Sequence, residues 1–378
     1  MINLVSTLFK KEMLDASRDK RSVMAGLYYC IGAPVLMCLL FTVMFKQMAS
    51  PDALKITINN AEQAPNLVQF LATTEITQGE GDDTKAITLE ISQNYQADMA
   101  AGKSATVTII ADKSEQKLQR SIRRVERQLA KYNAEVASLR LLARGIDPGL
   151  MRAVDVQTQD LATPKSKGGF ALGIATLSII IALFYAAMGL AIDSSAGERE
   201  RNSLQLLLSH PVSPLQIVLA KVGSIAMFAT LGLILTTVVS KFAYNMVPWE
   251  MVGFTVTIGA KFIIAAVLIG IPIALMSASL LIFISFLAKS FKEAQSYVTM
   301  ALFIPVMLSM ATTYDIATDV MQWLPIAAQQ NAMIELLKGN ALPVPQLAFA
   351  SMVTLGLFGL FTYLSSRMLK SEKVVFGL

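Results

Sequence analysis

Charge is scarce in this chain. Asp, Glu, Lys and Arg make up 16% of its 378 residues, against roughly 25% in soluble globular domains. There is one histidine, His210, and there are two cysteines, Cys30 and Cys38. Eight positions apart on one helix, the two thiols would stand about 12 Å apart. That is too far for a disulfide, so both read as small apolar packing residues. No cluster of His, Cys and acids has metal-ligand spacing, and no serine stands in a nucleophile elbow. Gly102-Lys103-Ser104 has the tail of a phosphate-binding loop, but Ala97 stands where that motif needs its first glycine. The chain is therefore expected to be no enzyme, to hold no cofactor and to hydrolyse no ATP of its own.

What the sequence has instead is apolar length. Hydrophobic residues form 54% of it, gathered in blocks of about 20, the number a helix needs to cross a hydrocarbon core of ~30 Å. Six spans are expected, at 23–45, 169–192, 218–240, 262–287, 294–311 and 347–366. Lys and Arg in the short connections set the orientation. One set of segments carries Lys10, Lys11, Arg18, Lys20, Arg21, Arg199, Arg201, Lys221, Lys289, Lys292, Arg367, Lys370 and Lys373. The other carries only Lys241, Lys261 and Lys338. Both termini, including the tail 367–378, are then cytoplasmic and residues 46–168 lie outside. This asymmetry also accounts for the net charge of +5 without nucleic acid as a partner.

Two segments flank this scheme. Within residues 1–22, Ile2, Val5, Phe9 and Met13 recur at helical spacing beside Lys10, Lys11, Arg18 and Lys20. That pattern predicts an amphipathic helix lying on anionic membrane lipids. The outer segment 46–168 reads as an α/β domain. Leu54, Ile56 and Ile58 alternate with polar residues, as do Ile87, Leu89 and Ile91, and Val107 and Ile109 open a third run. A long helix over 114–144 follows, with a stripe of Leu118, Ile122, Val125, Leu129, Tyr132, Val136, Leu139 and Ala143. The stripe fits packing on the domain's own sheet or a coiled-coil contact with a second copy. Gly145 ends the helix, and a last strand-like run spans Ala153 to Leu161.

Within the spans no acid or base is placed at the midplane, which argues against a proton-driven pump. Thr236, Thr237, Ser240, Ser277, Ser279 and Ser285 either line a path or bond their own helix backbones. The most informative segment follows the second span. Glu198, Arg199, Glu200 and Arg201 alternate in charge, then Leu204, Leu207 and Leu208 form a short apolar stripe stopped by Pro211. Ser213, Pro214 and Gln216 read as the capped start of the next span. A short helix with charged and apolar faces suits docking into a cytoplasmic motor, and it equally suits lying on the bilayer.

This segment resembles the signature loop of the ABC-2 type permeases. Their "GERE-R" run matches Gly197-Glu198-Arg199-Glu200-Arg201, their "LLxxPVS" matches Leu207 to Ser213, and their "LxKV" matches Leu219-Ala220-Lys221-Val222. Leu142 to Pro148, Leu161 to Pro164, Ala288 to Tyr297, and Leu324-Pro325-Ile326 with Asn331 are similar to the NatB-like, sodium-export group of that family. His210 stands where a small or polar residue is expected, and no role is attached to it. The resemblance implies an α-helical polytopic membrane protein of the ABC-2, type V exporter kind with an inserted α/β extracytoplasmic domain. It implies a separate cytoplasmic ABC ATPase that binds ATP and Mg, and a second permease copy, as a homodimer in a bacterial inner membrane.

Residues 198–209 would then be a coupling helix. Glu198, Arg199, Glu200 and Arg201 would make its charged contacts, and Leu204, Leu207 and Leu208 would fill the motor's groove. Short external helices would occupy 312–346 before the last span. The implied substrate is Na+, with a hydrophobic drug, peptide or lipid as the alternative. A membrane sensor or a scaffold subunit is the competing class, although the inner segments are short for a signalling module.

Overall fold

A helix satisfies its own backbone polar groups, so a long apolar block bound for lipid folds as one. A computed structural model describes residues 2–49, 53–79, 84–151, 168–252, 256–314, 316 and 319–371. The chain forms two units, one of residues 1–46 with 162–378 and one of residues 47–161.

The chain opens with α1 (Ile2–Arg18) and α2 (Lys20–Ala49). The second unit is α/β. It contains β1 (Leu54–Asn59), α3 (Pro65–Thr73), β2 (Ile76–Gln78), β3 (Ile87–Ile91), α4 (Tyr95–Ala100), β4 (Val107–Ala111) and α5 (Gln116–Leu142). The sheet order is β2-β1-β3-β4. β1 runs parallel to β2 and β3, while β4 returns antiparallel to β3. One face of the sheet buries Ile56, Ile58, Ile87 and Leu89 against Leu118, Ile122 and Val125 of α5. The stripe on α5 therefore packs on its own sheet through its first half, while Leu139 near its end is exposed. β2 has too few residues to show an alternating pattern. The strand expected at 153–161 lies outside the described residues.

The helical unit continues with α6 (Gly169–Ile192), α7 (Ser203–Leu208), α8 (Pro214–Tyr244), α9 (Ala260–Leu287), α10 (Phe291–Ala301), α11 (Phe303–Thr313), α12 (Ala327–Lys338) and α13 (Val344–Met368). Among the described residues, six stretches are long and apolar enough to cross a membrane: Ser22–Lys46, Gly169–Glu200, Pro214–Tyr244, Ala260–Leu287, Phe291–Thr313 and Val344–Met368. The second runs eight residues beyond its expected end. It continues through a wide turn, Asp193–Gly197, into a last α turn, Glu198–Glu200. Such one-residue insertions recur at functional sites.

The fifth stretch is two helices, broken at Leu302. Pro305 has no N–H for the carbonyl of Ala301, which weakens the ladder there. In 312–346 the described residues hold one longer helix, α12, and a single 3-10 turn at Met321–Trp323. α12 is not a surface helix. Gln329 and Gln330 are fully buried in it, and the Gln330 amide donates to the carbonyl of Gly173 (3.2 Å) and the hydroxyl of Thr313 (3.0 Å). α12 thereby ties α6 to α11.

Candidate coupling site

The helix that carries the signature charges ends at Asn202, whose backbone is left-handed at φ 57°. Asn tolerates this conformation better than most residues, so the chain turns there and starts α7 afresh. The expected single helix over 198–209 is thus two pieces, the end of a span and a helix of six residues. Ser213 then caps α8 with a full capping box: its hydroxyl accepts from the Gln216 N–H at 3.3 Å, and the Gln216 side chain accepts from the Ser213 N–H at 2.9 Å.

Each of the four charges holds a different element. Glu198 is buried and pairs with Lys221 of α8 at 2.7 Å and with Lys11 of α1 at 3.1 Å. Lys221, fully buried, also pairs with Glu12 of α1 at 3.0 Å. Lys11 closes the ring, 3.1 Å from Glu12 and 3.1 Å from Asp15. Burial alone would pull the Lys11 ammonium down, but the carboxylates of Glu198 and Glu12 hold it above its ordinary value. Arg199, also buried, donates to the carbonyl of Phe286 at 3.4 Å, at the negative end of the α9 dipole. Glu200 lies at the surface, and its carboxylate accepts from the N–H of Phe291 at 2.9 Å, capping α10. Arg201 folds back to grip both oxygens of Asp193 across the wide turn, at 2.9 and 3.2 Å. A Cβ on Gly197 would sit 2.9 Å from that carboxylate, so the fork needs glycine there.

The run 198–201 is therefore a hub joining α1, α6, α8, α9 and α10 at one end of the helical unit. The expectation is that all four charges of the run make the charged contacts to a motor, and two of them are buried. Glu198 and Arg199 point inward, and only Glu200 and Arg201 reach the surface. The leucines divide as well. Leu204 is fully buried in the core, while Leu207 and Leu208 are half-buried against it. The outward apolar residue of α7 is Leu206, 67% exposed, flanked by Gln205, Ser209 and His210. Nδ1 of His210 lies 2.9 Å from the carbonyl of Leu206 and folds over the end of that helix.

Three residues of the site escaped the sequence reading. Glu12 is buried although α1 reads as a lipid-lying basic helix, and Lys11 is engaged by carboxylates rather than left for lipid headgroups. Lys221 reads as an edge-of-span cation, yet it is the centre of the ring. Glu12 and Lys221 are 209 positions apart, so no local spacing links them. Leu206 was within reach, because 204, 207 and 208 form one stripe and 206 lies off it.

Of the six hydroxyl residues named for a path, Thr237, Ser277 and Ser279 bond carbonyls of their own helices. Thr236, Ser240 and Ser285 are fully buried and make no such back-bond.

The sequence profile of the ABC-2 family transporter proteins matches residues 25–366. The ABC transporter permease protein NatB of Bacillus subtilis (strain 168) is 25% identical over 331 residues, covering 80% of this chain and 81% of that protein. No solved structure matches.

Proposed function

The chain belongs to the ABC-2 family of transporter proteins, and from that premise we propose that it is the membrane half of an exporter driven through α7. A permease of this family implies a partner ATPase subunit. That subunit binds ATP and Mg, and this chain turns no substrate over chemically. In this reading both termini and the hub are cytoplasmic, the α/β unit lies outside a bacterial inner membrane, and two copies of the permease form the path.

The observation that carries the reading is the hub. A push on a loop moves a membrane domain only if the loop is tied to several spans. Here one four-residue run is tied to α1, α8, α9 and α10 by ion pairs and caps of 2.7–3.4 Å. The docking face is Leu206 with Gln205, Ser209 and His210, backed by Leu207 and Leu208. Glu200 and Arg201 border it. Glu198, Arg199 and Leu204 act behind it, passing displacement on rather than touching the motor.

The substrate is Na+ by family resemblance. Hard cations take oxygen ligands, and buried hydroxyls with no back-bond, such as Ser240 and Ser285, supply oxygen without charge. A hydrophobic drug, peptide or lipid would need no such ligands, and transport into inverted vesicles with a Na+ dye or a labelled amphiphile separates the two.

Co-expression with a neighbouring ABC ATPase tests the docking face. Leu206→Asp is expected to abolish copurification and coupled ATP turnover while the permease stays folded. Wild-type affinity in that variant would overturn the assignment.

A further inference from the structure

The α/β unit contains a cavity that the export reading does not use. It has a volume of about 250 Å³ and lies between α4, the start of β4 and the second half of α5. Leu67, Val107, Leu129 and Val136 form an apolar bed. Tyr95, Tyr132 and Arg140 supply its polar edge.

We propose that this cavity binds a small organic anion, a carboxylate on a compact apolar body, with Arg140 as the group that recognises the charge.

Arg140 is the first reason. Its guanidinium has five N–H donors, yet the protein gives it only neutral acceptors, two distant carbonyls and one weakly accepting sulfur. They are the carbonyls of Met99 and Gly102, both at 3.4 Å, and the sulfur of Met99 at 3.1 Å. Among the described residues no carboxylate pairs with it. Carbonyls orient a guanidinium without cancelling its charge, and its planar fork matches a carboxylate in two parallel bonds.

The tyrosines are the second reason. Tyr95 is buried, and burial together with its hydrogen bond to Tyr132 holds its phenol well above the usual range. Tyr132 lies beside it, its ring centroid 5.3 Å from that of Phe70. Aromatic faces beside a guanidinium suit a flat or branched apolar body with one acidic end.

Size and charge narrow the class. Cavities for drug-sized ligands run to about 300–1,000 Å³, so this one takes a smaller molecule. The lining holds a guanidinium and no carboxylate, imidazole or thiol, which does not suit a metal ion. A single guanidinium and an apolar bed are the wrong lining for a nucleotide's phosphates.

The test is calorimetric titration of the full-length protein in lipid nanodiscs, with empty nanodiscs as the blank. The probes are phenylacetate and isovalerate, with phenylacetamide and inorganic phosphate alongside. Saturable heat is expected from at least one carboxylate and from neither control. Arg140→Gln should weaken binding by about tenfold or more. Val136→Phe should remove binding by filling the bed with Arg140 intact, and circular dichroism checks that both variants fold. The proposal fails if neither carboxylate gives heat, if phenylacetamide or phosphate binds equally well, or if Arg140→Gln binds like the wild type. None of these outcomes depends on export, since no ATPase is present.

Discussion

The ammonium of Lys221 stands 2.7 Å from the carboxylate of Glu198, and both side chains are buried. Lys221 serves two carboxylates, because Glu12 lies 3.0 Å from the same nitrogen. Removing it leaves Lys11 alone against Glu12, Glu198 and Asp15. Lys221→Met is therefore expected to cost about 3–5 kcal/mol, the usual loss when one partner of a buried pair is deleted. Glu198→Gln should cost less, roughly 1–3 kcal/mol, since Lys221 keeps Glu12. Thermal unfolding in nanodiscs gives the order. In the double variant the combined loss should fall short of the sum by roughly 0.5–3 kcal/mol. Additive losses would mean that the two groups do not interact.

Asn202 makes a separate prediction. Its φ of 57° ends the α6 extension and lets α7 swing back onto the core. Asn202→Gly should leave stability nearly unchanged, because glycine reaches this region freely. Asn202→Val should cost roughly 1–2 kcal/mol, because a β-branched residue clashes there. If the turn also sets the position of Leu206, the Val variant should weaken ATPase copurification as well, and the Gly variant should not.

These relationships show where the sequence was readable. Alternation at Leu54, Ile56 and Ile58 corresponds to β1, and the stripe from Leu118 to Val125 corresponds to the buried face of α5. Apolar blocks of about 20 correspond to the long helices. These signals are local: period two, period 3.6, length. The hub is different in kind. Residues 12, 198 and 221 become partners only once α1, α6 and α8 have packed, and alternating charge reads the same whether it faces water or other helices. The wide turn at 193–197 adds a further element that no periodicity in the sequence announces.

The two faces of α7 give a third prediction. Leu204 is fully buried and Leu206 is 67% exposed, two positions away on the same short helix. Leu204→Ala should cost about 2–5 kcal/mol through the cavity it leaves. Leu206→Ala should cost under about 0.5 kcal/mol, as surface changes do. Partner affinity should invert that order, with Leu206→Ala reducing ATPase binding in a folded permease. A stability loss from Leu206→Ala like that from Leu204→Ala would show that α7 packs the other way round.

The fourth prediction concerns how a push at the hub is carried along the spans. α6 and α8 meet at Glu198 and Lys221, and again at Ala186 and Gly232, eleven to twelve residues and thus about 17 Å further on. At the second contact a Cβ on Gly232 would lie 2.5 Å from the Ala186 Cβ and 3.2 Å from the Cys30 sulfur. Gly232→Ala should therefore destabilise by roughly 1–3 kcal/mol through overpacking, although alanine is the better helix former by about 1 kcal/mol. At Gly356 and Gly359 of α13 an added Cβ meets nothing within 4 Å. Alanine there should be neutral, or stabilising by up to about 1 kcal/mol. Ala186→Gly removes the struck atom, so the pair Ala186→Gly with Gly232→Ala should recover most of the loss. If α6 and α8 move as one body, Gly232→Ala should also lower coupled ATP turnover while leaving ATPase binding intact, and the same pairing should restore it. Rescue of stability without rescue of turnover would mean that the stroke travels by another pair of helices.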